Sequence, residues 1–160
     1  MKDSDYMRLA LELAQRGQGW TAPNPMVGAV IVKEGRIIGQ GWHARCGALH
    51  AERHALQNCT ESPRGAVLYV TLEPCPMCSG AIINSRLKRV VYGARDPKAG
   101  CCGSVTDLFA MPFNHHPVVE SGLRAEEAQA LLQAFFKDLR ARLAAKPKWK
   151  PPVQGQNKSK

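Results

Sequence analysis

The sequence predicts an α/β protein, a three-layer α/β/α sandwich built around a mixed sheet of about five strands. Short apolar runs alternate with helical patterns along most of the chain, which is typical of a sheet that carries helices on its faces. Two of these runs are joined by "KEGR" (33–36), and so short a link predicts a tight hairpin turn. The later runs are separated by helical patterns, which predict crossover connections.

The N-terminal part predicts one helix, a rigid loop and the hairpin. We expect Ser4 to cap the helix and Gly17 to end it. Two prolines make "WTAPNP" (20–25) a rigid loop. The hairpin strands are "VGAVIV" (27–32), whose continuous apolar run predicts burial on both faces, and "IIGQGW" (37–42). The apolar positions of the helix follow helical spacing: Met7, Ala10, Leu11 and Ala14.

The remainder predicts three more strands and three helices. The strands are "GAVLYVTL" (65–72), "RVVYGA" (89–94) and a short "PVVES" (117–121). Two helices are expected at "HAERHALQN" (50–58) and from Pro74–Pro76 towards Asn84. The last helix has the clearest apolar stripe, which consists of Ala128, Leu131, Leu132, Phe135, Leu139 and Leu143.

We expect a single domain over residues 1–145 and a disordered basic tail over 146–160. The tail has three prolines and no apolar periodicity. Residues 137–160 contain eight Lys or Arg and one acidic residue, Asp138, so they supply +7 of the formal net charge of +9. Such an arm is the electrostatic footprint expected for a polyanion such as RNA, or simply a solvated tail.

Composition also bears on the compartment. No apolar run is long enough to cross a bilayer, and the first residues lack the pattern of a signal peptide, so we expect a cytoplasmic protein that does not bind membranes. The chain has six cysteines. In this setting a close pair of cysteines is more often metal-binding or catalytic than bridged. The vicinal pair Cys101–Cys102 is a poor chelate, and we predict an ordinary loop there.

His50, Cys75 and Cys78 supply one imidazole and two thiols, which suit zinc. A C-x-x-C pair can also be a redox pair or part of a structural zinc site. Cys75 and Cys78 share one face at a predicted helix start, and His50 opens another helix, so the three side chains can converge. Three protein ligands leave a coordination position for water, which predicts a catalytic zinc.

Glu52 follows His50 by two residues, and both side chains can lie at the N-terminal end of the same predicted helix. A carboxylate there can take a proton from the water and return it to a leaving group. The combined pattern H-x-E and P-C-x-x-C is typical of zinc nucleobase deaminases. We therefore predict one zinc ion per subunit, held by His50, Cys75 and Cys78, with Glu52 as the catalytic residue. Ala51, which lies between His50 and Glu52, is counted with the substrate-binding residues.

From Leu72 to Arg142 the chain resembles the bacterial tRNA-specific adenosine deaminases. The matching text is "TLEPCPMCSGAIINSRLKRVVYGARDPKAGCCGS", "FNHHPVVESG" and "LLQAFFKDLR". This resemblance implies a homodimer that converts adenosine to inosine at the wobble position of an anticodon. It also implies that Asp96 lies in a loop facing the anticodon nucleotides. Phe136 and Arg140 would lie on a C-terminal helix that contacts RNA.

The first 71 residues resemble more closely the deaminase domain of riboflavin biosynthesis. The matching text includes "YMRLALELAQRGQGWTAPNPMVGAVIVKEGRIIGQGWH" and "GALHAERHAL". In that family Asn24 and His43 would line the substrate pocket, whereas tRNA deaminases usually have asparagine at the position of His43. Riboflavin deaminases space their zinc cysteines further apart and normally carry a reductase domain, so we expect this resemblance to fail beyond Cys75.

The two resemblances belong to the zinc-dependent cytidine and deoxycytidylate deaminase superfamily and leave several functions open. The first is hydrolytic conversion of adenosine to inosine in tRNA or a similar single-stranded nucleic acid. The second is deamination of a small phosphoribosyl-aminopyrimidine or a free nucleobase. The third is a non-catalytic, zinc-stabilised RNA-binding module, against which Glu52 argues. A natural paralogue and an engineered recombinant would both produce this mixed pattern.

Overall fold

The computed structural model describes residues 1–151 and contains four α-helices and one five-stranded sheet in that range. The helices are α1 (Asp3–Gln15), α2 (Ala51–Gln57), α3 (Pro76–Asn84) and α4 (Ala125–Ala145). The strands are β1 (Gly28–Lys33), β2 (Arg36–Trp42), β3 (Val67–Leu72), β4 (Arg89–Ala94) and β5 (Val118–Ser121). A short 3-10 turn, Leu108–Ala110, precedes β5. No helix of the described range has the length and hydropathy needed to span a membrane.

The sheet is mixed, as the sequence predicts, and its order is β2-β1-β3-β4-β5. β1 pairs antiparallel with both β2 and β3, whereas β3, β4 and β5 run parallel. The turn between β1 and β2 has positive φ angles at Glu34 (50°) and Gly35 (75°). Two such residues match the two-residue turn whose twist suits a hairpin. The α/β class and the hairpin are therefore confirmed.

Helices cover both faces of the sheet and give it two hydrophobic cores. On one face, Ala29 and Ile31 of β1 pack in a cluster with Ala51 and Ala55 of α2 and with Ile82 of α3. On the other face, alternate β1 residues pack against α1 and α4; this cluster includes Val30, Val32, Tyr6, Met7, Ala10 and Ala128. Successive strand residues point to opposite faces, so the continuous apolar run of β1 is buried from both sides. The three-layer α/β/α architecture follows.

Two details of the helices differ from the sequence prediction. Helix α1 begins at Asp3, before Ser4, because the Asp5 carboxylate accepts the backbone N–H of Lys2 at 2.8 Å and closes the helix start there. Ser4 instead accepts hydrogen bonds from Arg124 and ties α1 to α4. The apolar stripe of α4 is buried only near its start: Ala128 is buried, and Leu143 is 56% exposed because the helix runs past the sheet.

The end of α4 at Ala145 leaves residues 146–151 without helix or strand. The rest of the predicted basic tail, 152–160, lies outside the described residues. The boundary of the domain at 145 and the disorder of the tail stay predictions.

Gly41 controls how closely α2 approaches the sheet. A Cβ at Gly41 of β2 would overlap the backbone nitrogen of Ala55 and the carbonyl oxygen of Ala51, both in α2. Backbone atoms cannot turn away as a flexible side chain can. Glycine at this position therefore lets the helix that carries Glu52 lie directly on the strand.

We expect Gly41→Ala to lower the free energy of unfolding by about 1–3 kcal/mol, because overpacking of this size forces backbone shifts. Urea unfolding followed by circular dichroism measures the change. The matched control is Gly80→Ala in α3, where a Cβ meets no atom within 4 Å. That control is expected to be neutral or stabilising by up to about 1 kcal/mol. Equal stability of the two variants contradicts the tight contact of α2 with β2.

Candidate active site

Two helix starts bring the candidate metal ligands together. His50 is the N-cap residue of α2, with an extended backbone (φ −63°, ψ 156°), and Ala51 and Glu52 form the first turn. Cys75 is the N-cap residue of α3, and Pro76 takes the first helical position, where its missing N–H costs nothing. Cys78 is therefore on the first turn of α3, beside Cys75. Both helices lie on the same face of the sheet.

The three ligand atoms have the spacing of a zinc site. His50 Nδ1 lies 3.6 Å from Cys75 Sγ and 3.6 Å from Cys78 Sγ, and all three atoms lie within 4.8 Å of one another. Tetrahedral zinc with Zn–S and Zn–N bonds of about 2.3 and 2.0–2.1 Å places a sulfur and a nitrogen ligand about 3.5–3.6 Å apart. The donor set and its spacing fit zinc, and three protein ligands leave the fourth position free.

The pKa values of the two cysteine thiols are shifted in opposite directions. The hydrogen bond from the Cys78 thiol, together with His50, lowers the pKa of Cys75 to about 4. The same hydrogen bond and burial raise the pKa of Cys78. The neighbouring Cys75 sulfur raises the pKa of His50. Because metal ligands must be deprotonated, metal loading releases protons from Cys78 and His50.

Glu52 lies next to this cluster and is almost fully buried, with 4% of its surface exposed. Burial raises the pKa of its carboxyl. A carboxyl whose pKa is raised holds a proton more readily near neutral pH, which suits a group that takes up and delivers one. The arrangement can therefore support proton transfer beside a metal.

The cluster opens into a cavity of about 210 Å³. Most of the site residues predicted from sequence line this cavity, and they come from five separate parts of the chain. They are Asn24, His43, His50, Ala51, Glu52, Cys75 and Asp96. Pro25, Val27, Leu72, Glu73 and Ala99 complete the lining. Cys78 is not among the lining residues and is fully buried.

Asn24 and His43 form a hydrogen-bonded pair on one wall. His43 is buried, and its Nδ1 lies 3.0 Å from the carbonyl oxygen of Leu49. A carbonyl only accepts, so Nδ1 carries the hydrogen, and Nε2 accepts from the Asn24 amide at 3.3 Å. The His43 ring also meets the His50 ring edge to face, with centroids 5.6 Å apart. The wall is thus fixed relative to the metal ligands.

Asp96 lies in the cavity, but one of its carboxylate oxygens bonds to its own loop. Oδ1 accepts the backbone N–H groups of Lys98 (3.0 Å) and Ala99 (3.2 Å). Phe136 and Arg140 do not line the cavity. They lie on α4, whose first part packs on the opposite face of the sheet; Phe136 is half-buried and Arg140 is exposed. Their predicted contacts with RNA stay predictions, and so does the predicted homodimer.

Glu73 is a cavity residue that the sequence patterns did not single out. It follows β3 directly and is 2% exposed, and its carboxylate accepts hydrogen bonds from the loop that contains Asp96. A signal for it was present in "TLEPC", where an acidic residue ends a buried strand. Cys101 and Cys102 lie in the same loop and are not part of the zinc cluster found among the described residues.

Comparison with known proteins agrees with this geometry. Residues 1–94 match the family described as "Cytidine and deoxycytidylate deaminase zinc-binding region". The chain belongs to this family.

Three relatives indicate what the chain is similar to within the family. It is 45% identical over 142 residues to the riboflavin biosynthesis protein RibD of Actinobacillus pleuropneumoniae, covering 85% of this chain and 37% of that protein. It is 39% identical over 150 residues to the diaminohydroxyphosphoribosylamino-pyrimidine deaminase of Buchnera aphidicola subsp. Schizaphis graminum. This match covers 89% of this chain and 99% of that protein. A solved structure from a study of A-to-I editing by tRNA:A34 deaminases at the wobble position also matches. Its TM-score is 0.69 and its identity is 38%, and the match covers 81% of this chain and 99% of that chain.

The chain thus spans less than half the length of the RibD protein that it matches. A match over 85% of the chain necessarily continues past Cys75. The expectation that the riboflavin resemblance fails beyond Cys75 is therefore wrong.

We expect Cys78→Ser and His50→Ala each to remove most of the bound zinc, because two remaining protein ligands hold it poorly. Metal content after dialysis, measured by mass spectrometry, should fall from about one zinc per chain to below roughly a tenth. The control is Cys59→Ser, a half-buried thiol that donates to the carbonyl oxygen of Ala55 and lies outside the cluster. Full zinc content in both ligand variants contradicts the assignment.

Proposed function

We propose that the protein hydrolytically deaminates a diaminohydroxyphosphoribosylaminopyrimidine, the small substrate named for its Buchnera relative. The observation that carries this proposal is the wall formed by Asn24 and His43 beside the zinc ligands. The sequence matches to RibD and to the Buchnera deaminase support it. This choice reverses the order expected from the sequence, in which adenosine in tRNA came first.

The size of the cavity suits one heterocyclic ring. A volume of about 210 Å³ is below the roughly 300–1,000 Å³ of pockets that enclose a drug-sized ligand. The ring that loses ammonia enters, and the ribosyl phosphate stays at the mouth. Both Asn24 and His43 come from the N-terminal part of the chain, as the riboflavin resemblance implies.

Asn24 offers a specific contact to such a ring. Its Nδ2 donates to His43, which fixes the orientation of the amide, and its Oδ1 has no hydrogen-bond partner among residues 1–151. Oδ1 can therefore accept a hydrogen bond from an exocyclic amine or a ring N–H of the substrate. A diaminopyrimidine provides such donors on more than one edge.

The catalytic roles follow from the positions of the side chains. His50, Cys75 and Cys78 hold zinc, which when bound supplies Lewis-acid activation of water. Glu52 receives the proton that this water loses as its oxygen bonds to the ring carbon. Glu52 then delivers a proton to the amine nitrogen as the carbon–nitrogen bond breaks, and ammonia leaves. The buried position of Glu52 keeps the proton from exchanging with bulk water between the two steps.

Deamination of adenosine in tRNA is the second candidate, and one surface favours it. A groove of about 400 Å³ lies between α4 and the 18–26 loop, lined by Phe135 and Arg142 among others. Ala22 and Met26 of this loop line the groove, and Asn24 and Pro25 line the cavity. The groove thus has an aromatic side chain and one basic residue, Arg142, which is paired with Asp138 at 2.9 Å. Aromatic and basic side chains beside a cavity are features that bind single-stranded nucleic acid. The similarity to the tRNA:A34 deaminase supports the same candidate.

The deciding experiment measures ammonia release from both substrates with the zinc-loaded protein. One arm contains the phosphoribosylaminopyrimidine, and the other contains an anticodon stem-loop with a wobble adenosine. We expect turnover of the pyrimidine. Inosine formation without pyrimidine turnover overturns the proposal in favour of the second candidate. RNA binding with no ammonia from either arm favours a non-catalytic module.

Glu52→Gln is expected to keep zinc and to lower kcat by about 10²–10⁴-fold, because the amide cannot carry the proton between water and amine. Zinc content and ammonia release are measured on the same sample. Glu126→Gln, an exposed glutamate in the first turn of α4, is the matched control and should retain full activity. Wild-type kcat in Glu52→Gln contradicts the role of Glu52.

His43→Asn tests the wall that carries the proposal. Asparagine is the residue usual at this position in tRNA deaminases, and it cannot reproduce both hydrogen bonds of the imidazole. We expect kcat/KM for the pyrimidine to fall about tenfold or more, as for the loss of one or two hydrogen bonds. The control is His116→Asn, a loop histidine that bonds to the carbonyl oxygen of Phe109. Unchanged pyrimidine kinetics in His43→Asn would show that this wall does not determine the choice of substrate, and they would contradict the proposal.

A further inference from the structure

Glu73 is a buried carboxylate to which the deamination chemistry assigns no step. It continues β3, and its backbone N–H donates to the carbonyl oxygen of Ala94 at 2.8 Å. It is 2% exposed and lines the cavity. It forms no ion pair with a Lys, Arg or His side chain in the described range. A buried charge without a cation must be stabilised by hydrogen bonds.

All four hydrogen bonds to the Glu73 carboxylate come from residues 96–104, which we name the clamp loop. Oε1 accepts the backbone N–H groups of Cys102 (3.0 Å) and Ser104 (3.1 Å). Oε2 accepts the backbone N–H of Asp96 (2.9 Å) and the hydroxyl of Ser104. Both oxygens are thus fully used, and they join the two ends of the loop.

The clamp loop wraps tightly around this carboxylate at Gly100. A Cβ at Gly100 would overlap the carboxyl carbon and Oε2 of Glu73. The N–H of Gly100 donates to the carbonyl oxygen of Asp96 at 2.9 Å. Glycine therefore permits the loop to pass over the carboxylate, and the shape of the loop depends on the group beneath it.

The clamp loop supplies one wall of the cavity through Asp96 and Ala99. Asp96 fixes the turn between them with its own carboxylate, and Glu73 fixes where that turn begins and ends. Moving the Glu73 carboxylate or weakening its bonds therefore moves the wall that meets the substrate. The zinc ligands belong to other segments; the loop meets them at one backbone hydrogen bond, from the N–H of Cys101 to the carbonyl oxygen of Pro74 (2.9 Å), the residue before Cys75.

We propose that Glu73 is a positioning residue, whose carboxylate holds the clamp loop in the shape that the substrate ring requires. The proposal rests on the function as a deaminase. It predicts that damage to the clamp raises KM more than it lowers kcat, because the wall contacts the substrate while Glu52 and the zinc ligands stay in place.

Glu73→Gln is the first test. The amide has the same shape, but its NH₂ faces backbone N–H donors, so one side of the clamp loses its acceptors. We expect KM to rise about tenfold or more, the size expected when buried donors lose their partner, with kcat within about twofold of wild type. Zinc content should not change. The matched control is Glu12→Gln, an exposed glutamate of α1, which should leave KM and kcat as they are.

Gly100→Ala and Ser104→Ala test the clamp without changing Glu73. Gly100→Ala pushes the loop away from an intact carboxylate and should raise KM to a similar extent. Ser104→Ala removes one hydroxyl and should raise KM less, in a protein whose thermal unfolding temperature stays close to wild type. A fall in kcat or in zinc content at unchanged KM in these variants overturns the proposal, because it places Glu73 in the chemistry or at the metal.

Hydrogen exchange tests the role of Glu73 independently of which substrate the protein converts. The backbone amides of Asp96, Cys102 and Ser104 should exchange faster in Glu73→Gln than in wild type and in Glu12→Gln. This measurement needs no substrate, and kinetics use whichever substrate the wild type converts. If wild type converts neither substrate, the proposed function fails while the exchange result still decides whether Glu73 holds the loop. Unchanged exchange at all three amides overturns the clamp.

Discussion

The structure depends on the meeting of two helix starts on one face of the sheet. His50 caps α2, Cys75 caps α3 and Cys78 lies on the first turn of α3. This places the imidazole nitrogen 3.6 Å from each sulfur, with all three atoms within 4.8 Å of one another. This requirement fixes the distance of α2 from the sheet, which Gly41 makes small. It also explains Pro76, which starts α3 directly after the first cysteine. The surrounding core holds these two helix N-termini in position relative to each other.

The metal chemistry and the choice of substrate are located in different parts of the cavity. Zinc ligands and Glu52 occupy the helix starts, which a deaminase of any nucleobase requires. The walls come from elsewhere: Asn24 and His43 on one side, and the clamp loop on the other. Relatives with different substrates can therefore share the helix starts while their walls differ. The similarity of this chain to both RibD and a tRNA:A34 deaminase is understandable in these terms.

Sequence patterns predicted the strands and the convergence of His50, Cys75 and Cys78, because both depend on local features. An apolar run such as 27–32 needs two covered faces, and a cysteine pair with a histidine needs a metal. The start of α1 was missed because the N-cap is Lys2, which has no typical capping side chain, and the Asp5 carboxylate accepts its backbone N–H. Glu73 was missed because its hydrogen-bond partners lie in a loop more than twenty residues further along the chain. The exposure of Leu143 was missed because periodicity predicts a helix face and cannot predict where the sheet ends.

The clamp loop also changes what Asp96 offers to a substrate. One oxygen of Asp96 and both oxygens of Glu73 are occupied by backbone N–H groups and a hydroxyl, so much of the negative charge on this wall is balanced within the protein. The opposite wall presents Asn24 Oδ1, an uncharged acceptor. A cavity with such walls recognises a ring by its shape and by its N–H groups. This is why exchange of a wall residue such as His43, rather than of a surface charge, separates the two candidate reactions.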